Sequence, residues 1–219
     1  MSRRLRREEE PHPEDEVVTI LTVCVGNVCR SPLAEQLIRA RLAEYRLDHV
    51  ELASAGLGAM VGEPMQPLPA RWSQHYGGDP RGAVGKQICE NYVQAADVIL
   101  TLTRELRDQL VREYPRALSR TFSLGEFVAL LELAGSLNAP APRSFFEAHQ
   151  DDERDYSQAG RFRELVRAAG QRRSLVAGVQ DDVKDPMGRS EAFHEAVAAQ
   201  IDGLSTRLVL GLQRRLQED

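Results

Sequence analysis

This chain lacks the marks of a metal protein, a secreted scaffold or a membrane protein. Its five histidines, His12, His49, His75, His149 and His194, show no ligand spacing, and neither do Cys24, Cys29 and Cys89, so no metal site is expected. Three cysteines without a paired framework exclude a disulfide scaffold and point to a reducing compartment, read here as the cytoplasm. No apolar run approaches the ~20 residues of a membrane span. Basic excess is missing too. The formal net charge of −5 argues against a general binder of nucleic acid or membrane surfaces. Arg3-Arg4-Leu5-Arg6-Arg7 imitates the start of a secretion signal, but an acidic stretch separates it from the first apolar run and no small-residue cleavage site follows Val23.

What remains is a chain of 219 residues, 42% hydrophobic, long enough for one domain with a core. Residues 1–16 are nearly all charged or proline and read as a disordered tail, leaving a single domain over 17–219. Val17–Val23 reads as a buried strand and Leu33–Leu42 as an amphipathic helix. A short strand at His49–Ala53, a helix at Pro69–Tyr76 and a strand at Ala95–Leu102 follow. Thr103 caps a helix running to about Glu113, and Arg120–Leu124 reads as a fourth strand. Helices at Gly125–Leu133 and Ser190–Leu216 complete the alternation. The fold class is therefore α/β, three-layered, with a central four-stranded parallel sheet and helices on both faces. The character shifts at about 134–179. There a Pro-rich breaker at 138–142, an acidic cluster at 151–155 and arginines at helical spacing read as an inserted helical and loop excursion with solvated charged faces. A lid or partner-docking role for it stays open.

The informative string is Cys24-Val25-Gly26-Asn27-Val28-Cys29-Arg30-Ser31-Pro32, between the first strand and the first helix. A loop wrapped at a helix N-terminus turns several backbone N–H groups inward, and the helix dipole adds positive potential. That cradle fits phosphate or a similar tetrahedral oxyanion. Gly26 permits close approach, and Asn27 tolerates left-handed geometry. Arg30 can grip two oxygens with its planar fork. Cys24 would lie beneath the cradle, where the same field favours its thiolate. Ser31 can cap the helix, with Pro32 in its first position, and can also donate to the sulfur. On base rates a lone cysteine at a strand end is packing; the whole string is what carries the chemistry.

The string resembles the phosphate-binding loop of the low-molecular-weight protein tyrosine phosphatases. The resemblance implies that Cys24 is the nucleophile, that Arg30 binds phosphate, and that Val25, Gly26, Asn27, Val28 and Cys29 line the oxyanion with it. It implies a phosphatase acting on phosphorylated proteins, with phosphotyrosine as substrate, through a cysteinyl-phosphate and without a cofactor. The family supplies its general acid from an Asp-Pro loop just before the final helix. Asp185-Pro186 stands there, with Asp181 and Asp182 as competing carboxylates. Ser54 would hold Asn27 in place, or Ser54-Ala55-Gly56 is simply a turn. Cys29 would form a reversible disulfide with Cys24, or it is a packed small residue.

The chain also departs from the family pattern. Met60 and Met187 stand where aromatic walls are common, and Ala83 stands in place of a histidine. Trp72 and Tyr76 read as packing. Three rivals remain. Arsenate reductases on this fold need cysteines after the third strand, where Thr101, Leu102 and Thr103 stand and Cys89 comes too early. Phosphoarginine phosphatases carry threonine where Val28 is. A phosphate-binding module without turnover would not need Cys24, Arg30 and Asp185 together.

Overall fold

The computed structural model describes residues 17–47, 49–136 and 157–217. The tail at 1–16, the breaker at 138–142 and the acidic cluster at 151–155 lie outside the described residues. Four strands, β1 (Val18–Cys24), β2 (Val50–Gly56), β3 (Val98–Thr101) and β4 (Thr121–Ser123), form one sheet in the order β2-β1-β3-β4, every pair parallel. The helices are α1 (Arg30–Glu44), α2 (Pro67–His75), α3 (Glu90–Ala95), α4 (Arg104–Glu113), α5 (Leu124–Ser136), α6 (Gln158–Gln171) and α7 (Glu191–Gln217). No described helix is long and apolar enough to cross a membrane.

The two-residue period of β1 explains why both sheet faces are covered. Val18, Ile20 and Cys24 point into the larger core, with Leu37 and Ile38 of α1, Phe127 of α5 and Leu208 of α7. Leu21 and Val23 point the other way, toward Val93 of α3 and Leu110 of α4. Each fully buried Ile, Leu or Val contributes about 1.5–3 kcal/mol. The register aligns Cys24 with Gly56, Val23 with Thr101, and Thr101 with Ser123, so all four C-terminal ends meet at one edge. The chain leaves β1 for β2 on one side and later returns to β3 on the other. That reversal opens a crevice beyond the C-terminal end of β1, the place where open α/β sheets bind ligands.

Several boundaries differ from the sequence reading, each for a local reason. β2 continues through Gly56, so Ser54 is a strand residue opposite Thr22 rather than part of a turn. Ala95 ends α3, and the strand starts only after Asp97, whose carboxylate accepts the Thr19 N–H at 2.8 Å. α5 starts at Leu124 because Ser123 and Glu126 make a reciprocal capping box, Glu126 N–H to Ser123 Oγ and Ser123 N–H to Glu126 Oε2, both 3.2 Å.

The arginines after residue 157 are not simply solvated. α6 buries Ala159, Phe162, Val166 and Ala169 in the main core. Arg163 pairs with Asp97 at 2.9 Å. Arg173 stacks over Phe122 at 4.6 Å and donates to Thr121 O at 2.8 Å. β4 is an edge strand, and Arg173 occupies a carbonyl that would otherwise be open to another chain.

Candidate active site

The crevice is walled by the loop from Cys24 to Arg30. Asn27 adopts φ 52°, the left-handed geometry its side chain tolerates. α1 begins at Arg30, two residues earlier than a Ser31 cap would set it, and its N-cap, Cys29, makes no side-chain cap. The Ser31 hydroxyl is instead turned inward, and Pro32 has no N–H to leave unpaired. The first N–H groups of α1 are thus free of intrahelical partners, as an anion site at a helix start requires.

Four of the loop carbonyls are occupied by backbone donors from residues 57–66. Leu57 N–H donates to Cys24 O (3.0 Å), Gly58 N–H to Val25 O (3.1 Å), Met60 N–H to Gly26 O (2.9 Å) and Gln66 N–H to Val28 O (2.8 Å). This outer wall, residues 57–66, keeps the negative ends of the peptide dipoles away from the cradle. Two glycines allow its close approach. A Cβ on Gly56 would lie 2.2 Å from Val25 O, and one on Gly85 would lie 2.1 Å from Met60 O. Sequence reasoning missed the wall because backbone-to-backbone bonds leave no side-chain code; the glycines at 56, 58, 62 and 85 were its available signal.

Beneath the loop, Cys24 Sγ accepts the Asn27 N–H at 3.3 Å and lies 3.0 Å from Ser31 Oγ. Ser31 Oγ also takes an N–H of Asn27 Nδ2 (2.9 Å) and lies 3.3 Å from Ala55 O. A hydroxyl has one proton to give. Facing a thiol, Ser31 gives it to Ala55 O; facing a thiolate, it can turn it to the sulfur. Asn27 is tethered a second time, its Oδ1 accepting the Lys86 N–H at 2.7 Å. This corrects the role expected of Ser54, which makes no hydrogen bond to Asn27. The β1–β2 register sets Gly56, not Ser54, beside the loop. Thr22 Oγ1 donates to Ser31 O at 2.9 Å, fastening the helix start to the strand.

Arg30 and Asp185 are 155 residues apart and meet here. Arg30 Nη2 donates to Asp185 Oδ2 at 2.7 Å, and Nη1 donates to Val183 O at 3.2 Å. The arginine side chain is 6% exposed and that of Asp185 is 48% exposed, so the acid stands at the mouth. The competing carboxylates face elsewhere. Asp182 accepts the Arg104 N–H, and Asp181 lies against Gly125 and 3.9 Å from Arg207. Cys29 is buried, and desolvation, with Cys24 and Asp185 adding to it and Arg30 opposing, pushes its thiol up to about 12. Val25 and Met60 leave apolar surface exposed, Met60 beside Gly26, and Met187 does so just past Asp185.

A family profile described as "Low molecular weight phosphotyrosine protein phosphatase" matches residues 19–144. The chain is 34% identical over 110 residues to the probable low molecular weight protein-tyrosine-phosphatase EpsP of Ralstonia nicotianae, covering 50% of this chain and 72% of that protein. It is 32% identical over 116 residues to the probable enzyme AmsI of Erwinia amylovora, covering 53% and 77%. Among solved structures, the fold is similar to the YwlE arginine phosphatase of Geobacillus stearothermophilus (TM-score 0.62, 23% identity, 90% and 94% covered). It is equally similar to a low molecular weight protein tyrosine phosphatase of T. tengcongensis (TM-score 0.62, 23% identity, 88% and 98% covered). With a profile match over more than half its length, this chain belongs to the low molecular weight phosphotyrosine protein phosphatase family and is a phosphatase of that cysteine-dependent kind.

Proposed function

We propose that the chain hydrolyses phosphotyrosine in proteins, with Cys24 as nucleophile, Arg30 and the amides of Val25 to Arg30 as the phosphate cradle, and Asp185 as general acid and then base. The supporting observation is the assembly at one mouth of a sulfur held by Asn27 and Ser31, a buried guanidinium, and a half-exposed carboxylate paired with that guanidinium. The sulfur attacks phosphorus in line. The P–O bond breaks, its electron pair stays on the leaving oxygen, and Asp185 protonates that oxygen. Arg30 and the inward amides stabilise charge on the equatorial oxygens of the transferring group. Asp185, now a carboxylate, takes a proton from the water that cleaves the cysteinyl-phosphate.

An aryl leaving group is favoured by what surrounds the mouth. Val25, Met60 and Met187 offer exposed apolar area, and thioethers pack well against rings. Val28 has no hydroxyl to bond a guanidino nitrogen, which speaks against phosphoarginine. Cys89, at the start of α3, is not placed after β3, which speaks against arsenate reduction. The test is hydrolysis of a phosphotyrosyl peptide, a phosphoarginyl peptide and p-nitrophenyl phosphate by the wild type, Cys24→Ser and Asp185→Asn. The expected result is preference for phosphotyrosine and loss of all turnover in Cys24→Ser. Wild-type rates in Cys24→Ser, or faster cleavage of the phosphoarginyl peptide, would overturn the reading.

A further inference from the structure

We propose that Asp182 is a positioning residue for the Asp185 acid, acting through the N-terminus of α4; the inference rests on the reading of Asp185 as the acid. The segment before α7 is tied to the first residue of α4 through Asp182. Its Oδ1 accepts the N–H of Arg104, the first residue of α4, at 2.9 Å, and its Oδ2 lies 3.7 Å from Arg104 Nε. Thr103 Oγ1 takes the Leu106 N–H at 3.2 Å, so α4 has its own cap. Asp182 is therefore a second acceptor at this helix start, supplied from far along the chain. The helix dipole and the Arg104 guanidinium both favour its charge there.

From that anchor the path to the acid is short and fixed. Val183 is fully buried; its N–H donates to Leu102 O at 2.8 Å and its carbonyl accepts from Arg30. Two residues on, Asp185 meets the same guanidinium. Gln200 Nε2 reaches the carbonyls of Asp181 and Asp182 at 3.4 Å each, at the long limit of a hydrogen bond. Among the described residues the Asp181 carboxylate makes no comparable bond to a backbone N–H and pairs only loosely with Arg207, at 3.9 Å. Without the Asp182 anchor the segment keeps its seat and backbone bonds at Val183 but loses the side-chain contact that holds the chain just before them against α4.

The test uses the chemistry of the leaving group. A phenolate needs the proton from Asp185, whereas 2,4-dinitrophenolate departs without one. The readout is the ratio of kcat/KM for phenyl phosphate to kcat/KM for 2,4-dinitrophenyl phosphate. Asp185→Asn should lower the ratio by about 10²–10⁴, the usual contribution of a general acid. Asp182→Ala should lower it by about tenfold to 10², as expected for a displaced catalytic group. Asp182→Asn, which keeps an acceptor oxygen, should restore most of it. Arg104→Pro removes the N–H at a helix position that suits proline, and Thr103 is already extended (φ −144°, ψ 159°), as the residue before a proline prefers. It should reproduce Asp182→Ala, and the double variant should fall no further. An equal loss with both substrates, or an unchanged ratio in Asp182→Ala and Arg104→Pro, overturns the assignment of Asp182. An unchanged ratio in Asp185→Asn overturns the acid itself, and this inference with it.

Discussion

Replacing Gly56 with alanine presses directly on the phosphate loop. The new Cβ would stand 2.2 Å from Val25 O and 3.1 Å from both Asn27 N and Asn27 Cβ. Ordinary carbon-to-oxygen contact begins at about 3.3 Å, so something must move by about 1 Å. Gly56 cannot retreat, because its N–H donates to Lys86 O at 2.9 Å and its carbonyl accepts the Ile88 N–H at 3.0 Å, within a strand paired to β1. The loop gives way instead, and with it the bond from Gly58 N–H to Val25 O. Overpacking of this kind costs about 1–3 kcal/mol, within the ~5–15 kcal/mol that holds a typical domain folded. Catalysis suffers more, since a 1 Å error in a preorganised site costs on the order of 10²-fold in rate. The assay is kcat/KM on p-nitrophenyl phosphate with the inhibition constant for inorganic phosphate, alongside urea unfolding. Phosphate binding should weaken with the rate. Gly203→Ala, in α7 with nothing within 4 Å of the new carbon, is the control and should change neither. Activity within about threefold of wild type in Gly56→Ala would refute the reasoning that a 1 Å shift of the loop is costly.

Cys29 gives a pH signature. Its folded-state value is raised from 9.0 to about 12, so between those limits the unfolded chain releases a proton that the native chain keeps. Stability is therefore fully present below pH 9 and falls as pH rises toward 12, by up to about 1.4 kcal/mol per unit. Urea unfolding at pH 8 and pH 10.5 should show a steeper alkaline loss in the wild type than in Cys29→Ala, and parallel losses would contradict it. Such a thiol also supplies little thiolate at neutral pH, so iodoacetamide should label Cys24 well before Cys29, as peptide mass mapping can determine. Glu126 carries the other test. Its buried carboxylate takes both bonds from Arg107 at 2.9 Å and caps α5. Glu126→Ala leaves Arg107 without its main partner and should cost about 3–5 kcal/mol in chemical denaturation, where a loss under 1 kcal/mol would argue against a paired charge there.

The parts legible in the sequence are those where side-chain type and backbone geometry coincide. The apolar run before Cys24, the Gly-Asn pair and the arginine six residues on specify strand, cradle and grip within one short stretch. Asp185-Pro186 was legible because proline marks a turn and the reaction needs an acid. The start of α1 was misplaced because Ser31 reads as a cap, while its hydroxyl is drawn inward to Cys24 and Asn27. The second tether of Asn27 is a backbone N–H, that of Lys86, which no residue type announces. The capping box at Ser123 and Glu126 was readable, but Gly125 drew the boundary inward. Arg163 and Arg173 looked solvated because their partners, Asp97 and Thr121, lie 66 and 52 residues away.

The long connection between α5 and the acid illustrates why such distant partners matter. An α/β sheet ending in a three-residue edge strand needs that edge blunted, and Arg173, just after α6, occupies the Thr121 carbonyl of β4. The same chain then passes the Arg173–Val176 turn, where Arg104 Nη1 donates to Ala177 O at 3.3 Å, and enters the segment that carries Asp182 and Asp185. Doubling the length of a connection costs only about 0.6 kcal/mol in closure entropy, so length between α5 and α6 is cheap. The exit from the connection has no such tolerance, because a catalytic group displaced by 1 Å loses about 10² in rate. Added length should therefore be tolerated before α6 and not after Arg163 meets Asp97. From that ion pair onward the chain is bonded at successive points to fixed elements, to β4 through Thr121, to α4 through Arg104 and to α1 through Arg30, until the carboxylate arrives beside the guanidinium.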